Sequence, residues 1–163
     1  MLYFSYGSNM SSKRISERVP SAKFVAVSTL FQHELKFHKI GKDGSAKCDA
    51  RETNNPDHFV VGVVFDIHVS EKYLLDQKEG LGFGYEEKPV LLVSGTGKTI
   101  EATTYYATDI NSNLKPYHWY KEHVMRGANE HGLPDTYIQN IANIVSIDDP
   151  NLTREETELI IYR

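Results

Sequence analysis

The chain contains almost no cysteine, and this scarcity excludes two kinds of structural framework. Only one of its 163 residues, Cys48, is a cysteine, so there is neither an internal disulfide nor a cysteine-based metal cage. Cys48 lies in an apolar-facing strand position and is predicted to be a small buried residue rather than a nucleophile. No apolar run approaches the roughly 20 residues of a membrane-spanning helix, and no signal peptide is recognisable. We therefore expect a cytoplasmic protein with no membrane contact.

Positive charge is also in short supply. The net charge is −4 and the isoelectric point is about 6.0. Nucleic acids are bound largely through Lys and Arg contacts to phosphates, so nucleic acid is not an expected partner. The longest basic cluster, Lys13-Arg14 with Arg18 one turn later, is predicted to be a solvated helix face.

Two apparent motifs lack the features that their chemistry requires. The segment Ser94-Gly-Thr-Gly-Lys-Thr99 resembles the end of a phosphate-binding loop, but Leu92 stands where the first glycine of that loop is needed. His33 and His38 resemble a zinc-protease pair, but five residues separate them, and a strand directs such residues to opposite faces. We expect a hairpin turn at the first segment and no metal site at the second.

The apolar pattern predicts strands in the first two thirds of the chain and helices in the last third. The predicted strands cover residues 2–6, 22–30, 34–40, 46–52, 58–68, 87–94 and 98–108. The predicted helices cover residues 11–19, 70–78, 115–126 and 134–145, with a short final helix after a capping box at Thr153-Arg-Glu-Glu156. This segregation favours a single α+β domain over residues 1–163. Glycine-rich corners favour a small, mostly antiparallel, partly closed β-barrel of six or seven strands flanked by helices.

The first ten residues form the most informative local pattern. A strand-like run ends at Gly7-Ser8-Asn9, and a helix is predicted to begin within three residues. Gly7 can adopt a positive φ or admit a close neighbour, while Ser8 and Asn9 can bond to nearby amides or cap the helix. Exposed N–H groups at such a junction suit a carboxylate or an oxyanion. These residues alone fit either an anion cradle or an ordinary tight turn.

A glutamate at a predicted helix end is the second informative feature. Glu79 is followed at once by Gly80, and the C-terminus of a helix already carries partial negative charge. That position disfavours the carboxylate and raises its pKa, as a general base acting near neutral pH requires. The same pattern also fits a surface glutamate that precedes a capping glycine.

Three segments together resemble the γ-glutamylcyclotransferase family. They are Tyr3-Phe-Ser-Tyr-Gly-Ser-Asn9, the Glu79-Gly80 pair after a short helix, and Gly127-Ala-Asn-Glu-His-Gly-Leu-Pro134, and the likeness extends over residues 1–147. The resemblance implies a small β-barrel with flanking helices and no cofactor. It also implies conversion of a small γ-glutamyl amino acid into 5-oxoproline and a free amino acid.

The resemblance also assigns site residues. Glu79 matches the family's catalytic glutamate, and Tyr120 matches a substrate-contacting tyrosine. The substrate-cradling segment corresponds to Tyr3, Phe4, Ser5, Tyr6, Gly7, Ser8 and Asn9. Tyr85 aligns with a family aromatic only after a shift of one residue, so its role and that of Tyr105 stay open.

Other interpretations remain open at this point. The leaving group can be an amino acid or an amine such as the ε-amine of lysine, which would make the protein a γ-glutamylamine cyclotransferase. A non-catalytic member that binds a small ligand or a protein is a further alternative. The aromatic residues Tyr117, Trp119 and Tyr120 can form either a homodimer face or a pocket wall.

Overall fold

The computed structural model describes all 163 residues, and its elements follow the predicted order. The strands are β1 (Leu2–Ser5), β2 (Lys23–Phe31), β3 (His33–Ile40), β4 (Ala46–Glu52), β5 (Phe59–Asp66), β6 (Tyr85–Ser94) and β7 (Thr99–Ala107). The helices are α1 (Ser12–Arg18), α2 (Lys72–Glu79), α3 (His118–Glu130), α4 (Asp135–Ala142) and α5 (Leu152–Leu159). Short 3₁₀ turns span Ser8–Met10, Val69–Glu71 and Ile160–Tyr162.

Five of the seven strands close into a barrel. Their order is β1-β5-β2-β6-β7, and neighbouring strands are antiparallel except where β1 meets β7 in parallel at Tyr3 and Thr103. Strands β3 and β4 form a separate antiparallel sheet. The predicted α+β class is confirmed. The barrel is closed rather than partly closed, and it has five strands rather than six or seven because β3 and β4 pair with each other.

Strand β5 is the centre of the core and determines the path of β1. Its residues 60–65 are all buried, as the continuous apolar run predicts for a strand covered on both faces. A Cβ atom on Gly62 would lie 2.3 Å from the carbonyl oxygen of Ser5 and 2.8 Å from the ring of Phe4. The absence of a side chain at Gly62 therefore allows a close approach that holds the end of β1 tightly against β5.

A glycine in helix α3 allows the helix to contact the segment that follows β1. The sequence predicts a helix over residues 115–126, whereas α3 continues through Gly127 to Glu130. A Cβ atom on Gly127 would lie 2.5 Å from the carbonyl carbon of Met10 and from the amide nitrogen of Ser11. Gly127 thus serves close packing between two distant segments. None of the helices is long and apolar enough to cross a membrane.

Candidate active site

The loop at residues 6–9, which we call the cradle loop, joins β1 to the first helical turn. Met10 donates its N–H to the carbonyl of Gly7 at 3.0 Å, and Ser11 donates to the carbonyl of Ser8 at 3.3 Å. None of the four main-chain N–H groups of residues 6–9 donates a hydrogen bond within the chain. These four donors are therefore available to an anionic oxygen, as a cradle requires.

Gly7 is needed for space rather than for a left-handed backbone. Its φ is −118°, so the positive φ considered from the sequence is wrong. A Cβ atom here would lie 3.0 Å from the Cβ of Cys48 and 3.4 Å from the hydroxyl of Tyr120. Neither Ser8 nor Asn9 caps α1. Ser11 does so by accepting a hydrogen bond from the Arg14 N–H at 3.4 Å.

Glu79 lies at the end of α2 and contacts the cradle loop directly. Gly80 terminates the helix in the left-handed conformation, with a φ of 73°. The Asn9 side-chain amide donates to Glu79 Oε1 at 2.5 Å, and Arg18 Nη1 lies 4.0 Å from the same oxygen. Arg18 also donates to Asn9 Oδ1 at 3.0 Å. Residues far apart in sequence therefore converge on one carboxylate.

Burial is what raises the pKa of the Glu79 carboxyl group. The side chain is only 16 % exposed, and desolvation of the charged form outweighs the opposing effects of Arg18, Arg14, Lys39 and the Asn9 hydrogen bond. The direction of the shift predicted from the helix end is therefore confirmed, but its main cause is the loss of contact with water.

A narrow cavity unites the cradle loop with Glu79. Eleven residues line it: Tyr3, Ser5, Tyr6, Gly7, Ser8, Asn9, Cys48, Glu79, Tyr85, Tyr105 and Tyr120. Every predicted site residue except Phe4 is among them. Phe4 is fully buried in the core beneath Gly62 and does not line the cavity, and its assignment to the substrate-cradling segment stays a prediction.

Several tyrosines of the cavity are fixed by hydrogen bonds to the main chain. The hydroxyl of Tyr6 donates to the carbonyl of Tyr105 at 2.6 Å, and that of Tyr85 donates to the carbonyl of Cys48. The hydroxyl of Tyr120 accepts from the Cys48 N–H at 3.0 Å. Tyr85 and Tyr105, which the sequence leaves open, both line the cavity. The aromatic walls are therefore held in place before any ligand enters.

Cys48 contributes to the cavity wall without the properties of a nucleophile. Its side chain is buried, and burial raises the pKa of its thiol to about 12. The predicted buried role is confirmed, although its position beside Gly7 could not be anticipated from the sequence. The aromatic residues Tyr117, Trp119 and Tyr120 are also buried, so they pack inside the molecule and offer no exposed face.

A larger cleft adjoins the narrow cavity, and we call it the basic cleft. The two share four lining residues: Ser8, Glu79, Tyr85 and Tyr120. Seven basic side chains face the basic cleft, namely Arg14, Arg18, Lys39, Lys42, Lys47, Lys78 and Arg154, against the acidic Asp43, Glu79 and Glu158. Arg14 and Arg18, predicted to be solvated, are thus largely buried beside the site. The cleft offers positive charge next to a buried carboxylate.

Comparison with known proteins gives consistent matches. The model of the AIG2-like family matches residues 59–141. γ-Glutamylcyclotransferases of Bos taurus and Homo sapiens are each 35% identical over 166 residues, covering 99% of this chain and 88% of the relative. A solved gamma-glutamyl cyclotransferase superposes with a TM-score of 0.88 at 32% identity, covering 99% of this chain and 97% of that one. YkqA from Bacillus subtilis, at 20% identity and a TM-score of 0.75, covers 90% of this chain and 56% of its own and shares the fold.

Proposed function

This chain belongs to the γ-glutamylcyclotransferase family, and from that premise we propose that it converts a small γ-glutamyl amino acid or dipeptide into 5-oxoproline and a free amino acid. The named relatives support a cyclotransferase activity. Glu79 is the general acid and base of the proposed reaction. The reaction needs no cofactor, because one proton-transferring group and a tight cavity are sufficient for it.

The observation that carries the proposal is the meeting of Glu79 with the cradle loop. Asn9, within that loop, donates to the Glu79 carboxylate at 2.5 Å, and both residues line the same narrow cavity. A substrate held by the loop therefore presents its reacting atoms to the buried carboxylate. Such positioning is a large part of catalysis when a reaction is intramolecular.

Proton transfer limits this reaction, because the attacking α-amine is an ammonium group at neutral pH. In the proposed sequence Glu79 accepts one proton, and the freed nitrogen attacks the γ-carbonyl carbon to close a five-membered ring. Glu79 then delivers a proton to the amide nitrogen of the leaving group, and the carbon–nitrogen bond breaks. Glu79 then takes a second proton from the ring nitrogen and passes it to the departing amine, so that the ring nitrogen keeps one of its three hydrogens and the leaving group departs as an ammonium. No water is consumed.

The free N–H groups of the cradle loop support the same mechanism. The four donors of residues 6–9 have no acceptor in the chain, and they suit either the α-carboxylate of the substrate or the oxyanion that develops on its γ-carbonyl. Preorganised main-chain donors of this kind stabilise a transition state because they need little rearrangement. The raised pKa of Glu79 suits a group that must both accept and return a proton.

Replacing Glu79 by glutamine tests the proposal. Glu79→Gln preserves the size of the side chain and an oxygen that can accept from Asn9, but it removes the proton-transferring group. We expect release of 5-oxoproline from γ-glutamyl dipeptides to fall by about 10²- to 10⁴-fold, with an unchanged melting temperature. Glutathione and γ-glutamyl-ε-lysine belong in the same substrate panel.

The matched control is Glu101→Gln, which changes an exposed glutamate of β7 that forms no ion pair. This variant should retain wild-type turnover. Substantial activity of Glu79→Gln on every substrate would rule out the role assigned to Glu79. A wild-type protein that releases no 5-oxoproline from any member of the panel would rule out the proposed function itself.

A further inference from the structure

Lys39 is a buried cation placed at the basic cleft by an irregularity in β3. The pairing of β3 with β4 shifts between Phe37 and Lys39, so that Phe37 pairs with Cys48 while Lys39 pairs with Lys47. Neighbouring residues of β4 point to opposite faces, and the bulge therefore turns Lys39 to the face opposite Phe37. Both Lys39 and Lys47 consequently line the basic cleft.

The ammonium group of Lys39 has no partner within the chain. The residue is only 6% exposed, yet its Nζ takes part in no hydrogen bond or ion pair. Two other cations of the same cleft are matched by carboxylates, Lys47 by Asp43 at 2.7 Å and Arg14 by Glu158 at 2.6 Å. The Nζ atom itself keeps contact with the open space of the cleft. Lys39 therefore presents an unmatched positive charge to whatever enters the cleft.

The ammonium group of Lys39 lies against Tyr85, a residue that the narrow cavity and the basic cleft share. Its Nζ lies 4.7 Å from the centre of the Tyr85 ring, and Tyr85 lines both the narrow cavity and the basic cleft. Gly84 leaves the space that the side chain occupies, because a Cβ atom there would lie 3.0 Å from Lys39 Cε and 3.1 Å from Nζ. Tyr85 is thus the boundary between the reacting centre and this cation.

We propose that Lys39 binds the carboxylate of the leaving amino acid, and that the enzyme selects γ-glutamyl compounds whose leaving group carries such a carboxylate. This inference rests on the proposed function. When the γ-glutamyl part occupies the narrow cavity, the leaving group extends past Tyr85 into the basic cleft, where an unpaired ammonium awaits an anion. Neutral γ-glutamylamines have no group to offer Lys39 and are poor substrates.

A pair of substrates that differ in one group tests the selectivity. γ-Glutamyl-L-alanine carries the carboxylate, and γ-glutamyl-L-alaninamide replaces it with a neutral group of similar size. We expect the wild-type enzyme to favour the acid in kcat/KM by about 10- to 100-fold, the range for a hydrogen bond to a charged group. In Lys39→Met, which keeps the length of the side chain, this preference should disappear through loss of activity on the acid, with rates compared on the plateau of each pH profile because Lys39 also lowers the pKa of Glu79.

A matched control separates this role from a general loss of positive charge. Lys36 lies on the same strand but outside the basic cleft, and Lys36→Met should retain the wild-type preference. Equal loss on both substrates in Lys39→Met would overturn the proposal, as would equal use of both substrates by the wild-type enzyme.

A binding measurement on the Glu79→Gln variant also tests whether Lys39 forms a carboxylate subsite. It needs neither substrate turnover nor a Lys39 variant that folds. Calorimetry should show that this variant binds γ-glutamyl-L-alanine more tightly than the alaninamide. If the variant binds the acid more tightly but the wild-type protein shows no turnover, the subsite is supported and the proposed function is rejected. Equal binding of the two compounds would reject the subsite, whatever the turnover.

Discussion

At the scale of single residues, the pKa of Glu79 is determined by a balance between burial and nearby positive charge. Burial raises the pKa of the carboxyl group, and the Arg18 guanidinium 4.0 Å away is the largest opposing influence. Because Arg18 also donates to Asn9, it both orients the amide that contacts Glu79 and limits how far the pKa rises.

Removing the charge of Arg18 should move the acid limb of the pH–activity profile. In Arg18→Met the opposing influence is lost, so the pKa of Glu79 rises further and the carboxylate is protonated at higher pH. We expect the fall of kcat/KM at low pH to begin at a higher pH than in the wild type, with activity recovered at alkaline pH. Rates measured between pH 4.5 and 8.5 check this expectation.

Two further variants make the Arg18 test specific. Arg18→Lys restores a positive charge and should return the acid limb toward its wild-type position. Arg126→Met alters an exposed arginine of α3 that pairs with Glu122 at 2.7 Å and should leave the profile unchanged. An acid limb that stays in place or moves to lower pH in Arg18→Met would contradict the electrostatic argument.

The sequence identifies a site residue when the residue belongs to a local motif. It fails to identify one whose position or burial depends on packing between distant segments. Tyr6 to Asn9 and Glu79 are recognisable because each sits at a strand or helix end marked by glycine. Lys39 escapes detection because simple alternation puts it on the same face as Leu35 and Phe37, and only the bulge reverses it. The burial of Arg14 likewise depends on α3 and α5, which are distant in sequence.

At the scale of elements, the 3₁₀ turn Ile160–Tyr162 is attached to the rest of the molecule by a chain of polar contacts. Arg14 Nη1 donates to His123 Nε2 at 3.0 Å, His123 Nδ1 donates to the Tyr162 hydroxyl at 2.7 Å, and that hydroxyl donates to Ser11 Oγ at 2.8 Å. A guanidinium has only donors, so His123 must accept at Nε2 and is therefore neutral. The chain ends at the residue that caps α1, close to the cradle loop.

This arrangement makes stability depend on pH through His123. Burial lowers the pKa of His123 to about 4, with Glu158 opposing and Arg14 reinforcing the shift. The unfolded value is about 6.5, so the unfolded chain binds more protons between these values. The contribution of His123 is therefore complete above about pH 6.5 and is lost as the pH falls toward about 4. We expect the free energy of unfolding to decrease on the order of 2 kcal/mol across this window.

A non-titrating replacement checks the assignment to His123. The amide of His123→Gln can accept from Arg14 and donate to Tyr162 but cannot gain a proton, so denaturant unfolding at pH 7 and pH 4.5 should differ less than in the wild type. Part of the dependence should persist, because burial also lowers the pKa of His33. His118→Gln on the exposed side of α3 should behave as the wild type does. Equal loss of stability in all three proteins would refute the role of His123.

The sequence predicts the boundaries of an element correctly where the local residues that suggest a boundary also form it in the structure. The run at residues 58–68 predicts β5, and the helices follow in the expected order. The predicted capping box at Thr153 is wrong, because Asn151 caps α5 by accepting from the Arg154 N–H at 3.0 Å. Helix α3 begins at His118 rather than at 115, since the residue before a proline avoids the helical conformation and Lys115 precedes Pro116.

At the scale of the whole molecule, closure of the barrel places β1, which leads into the cradle loop, beside β7, which carries the cavity residue Tyr105. The pairing of Tyr3 with Thr103 joins residues from opposite ends of the strand region, and the contact of Gly127 with Met10 adds the last third of the chain. In neither contact does the sequence around one residue indicate which distant residue it meets. The number and order of strands were therefore predictable, whereas the five-strand closure and the separate β3–β4 sheet were not.

The charge distribution of the whole molecule leads to a prediction about salt. The protein carries a net charge of −4, yet seven basic and three acidic side chains line the basic cleft. A γ-glutamyl dipeptide has one ammonium and two carboxylates, hence a net negative charge, and is attracted to this cleft. Salt shortens the range of such attraction from about 10 Å at 0.1 M to about 3 Å at 1 M.

We therefore expect kcat/KM for γ-glutamyl-L-alanine to fall several-fold, roughly three- to tenfold, between about 20 mM and 500 mM NaCl, with little change in kcat. The alaninamide analogue, whose one ammonium and one carboxylate give it zero net charge, should respond less. Replacing both exposed cleft lysines, Lys42 and Lys78, by methionine should flatten the dependence on salt, because these side chains act at a distance. Replacing Lys23 and Lys98, which are exposed outside the cleft, should preserve it. If acid and amide respond equally, or if the two double variants behave alike, the positive charge of the cleft does not guide the substrate.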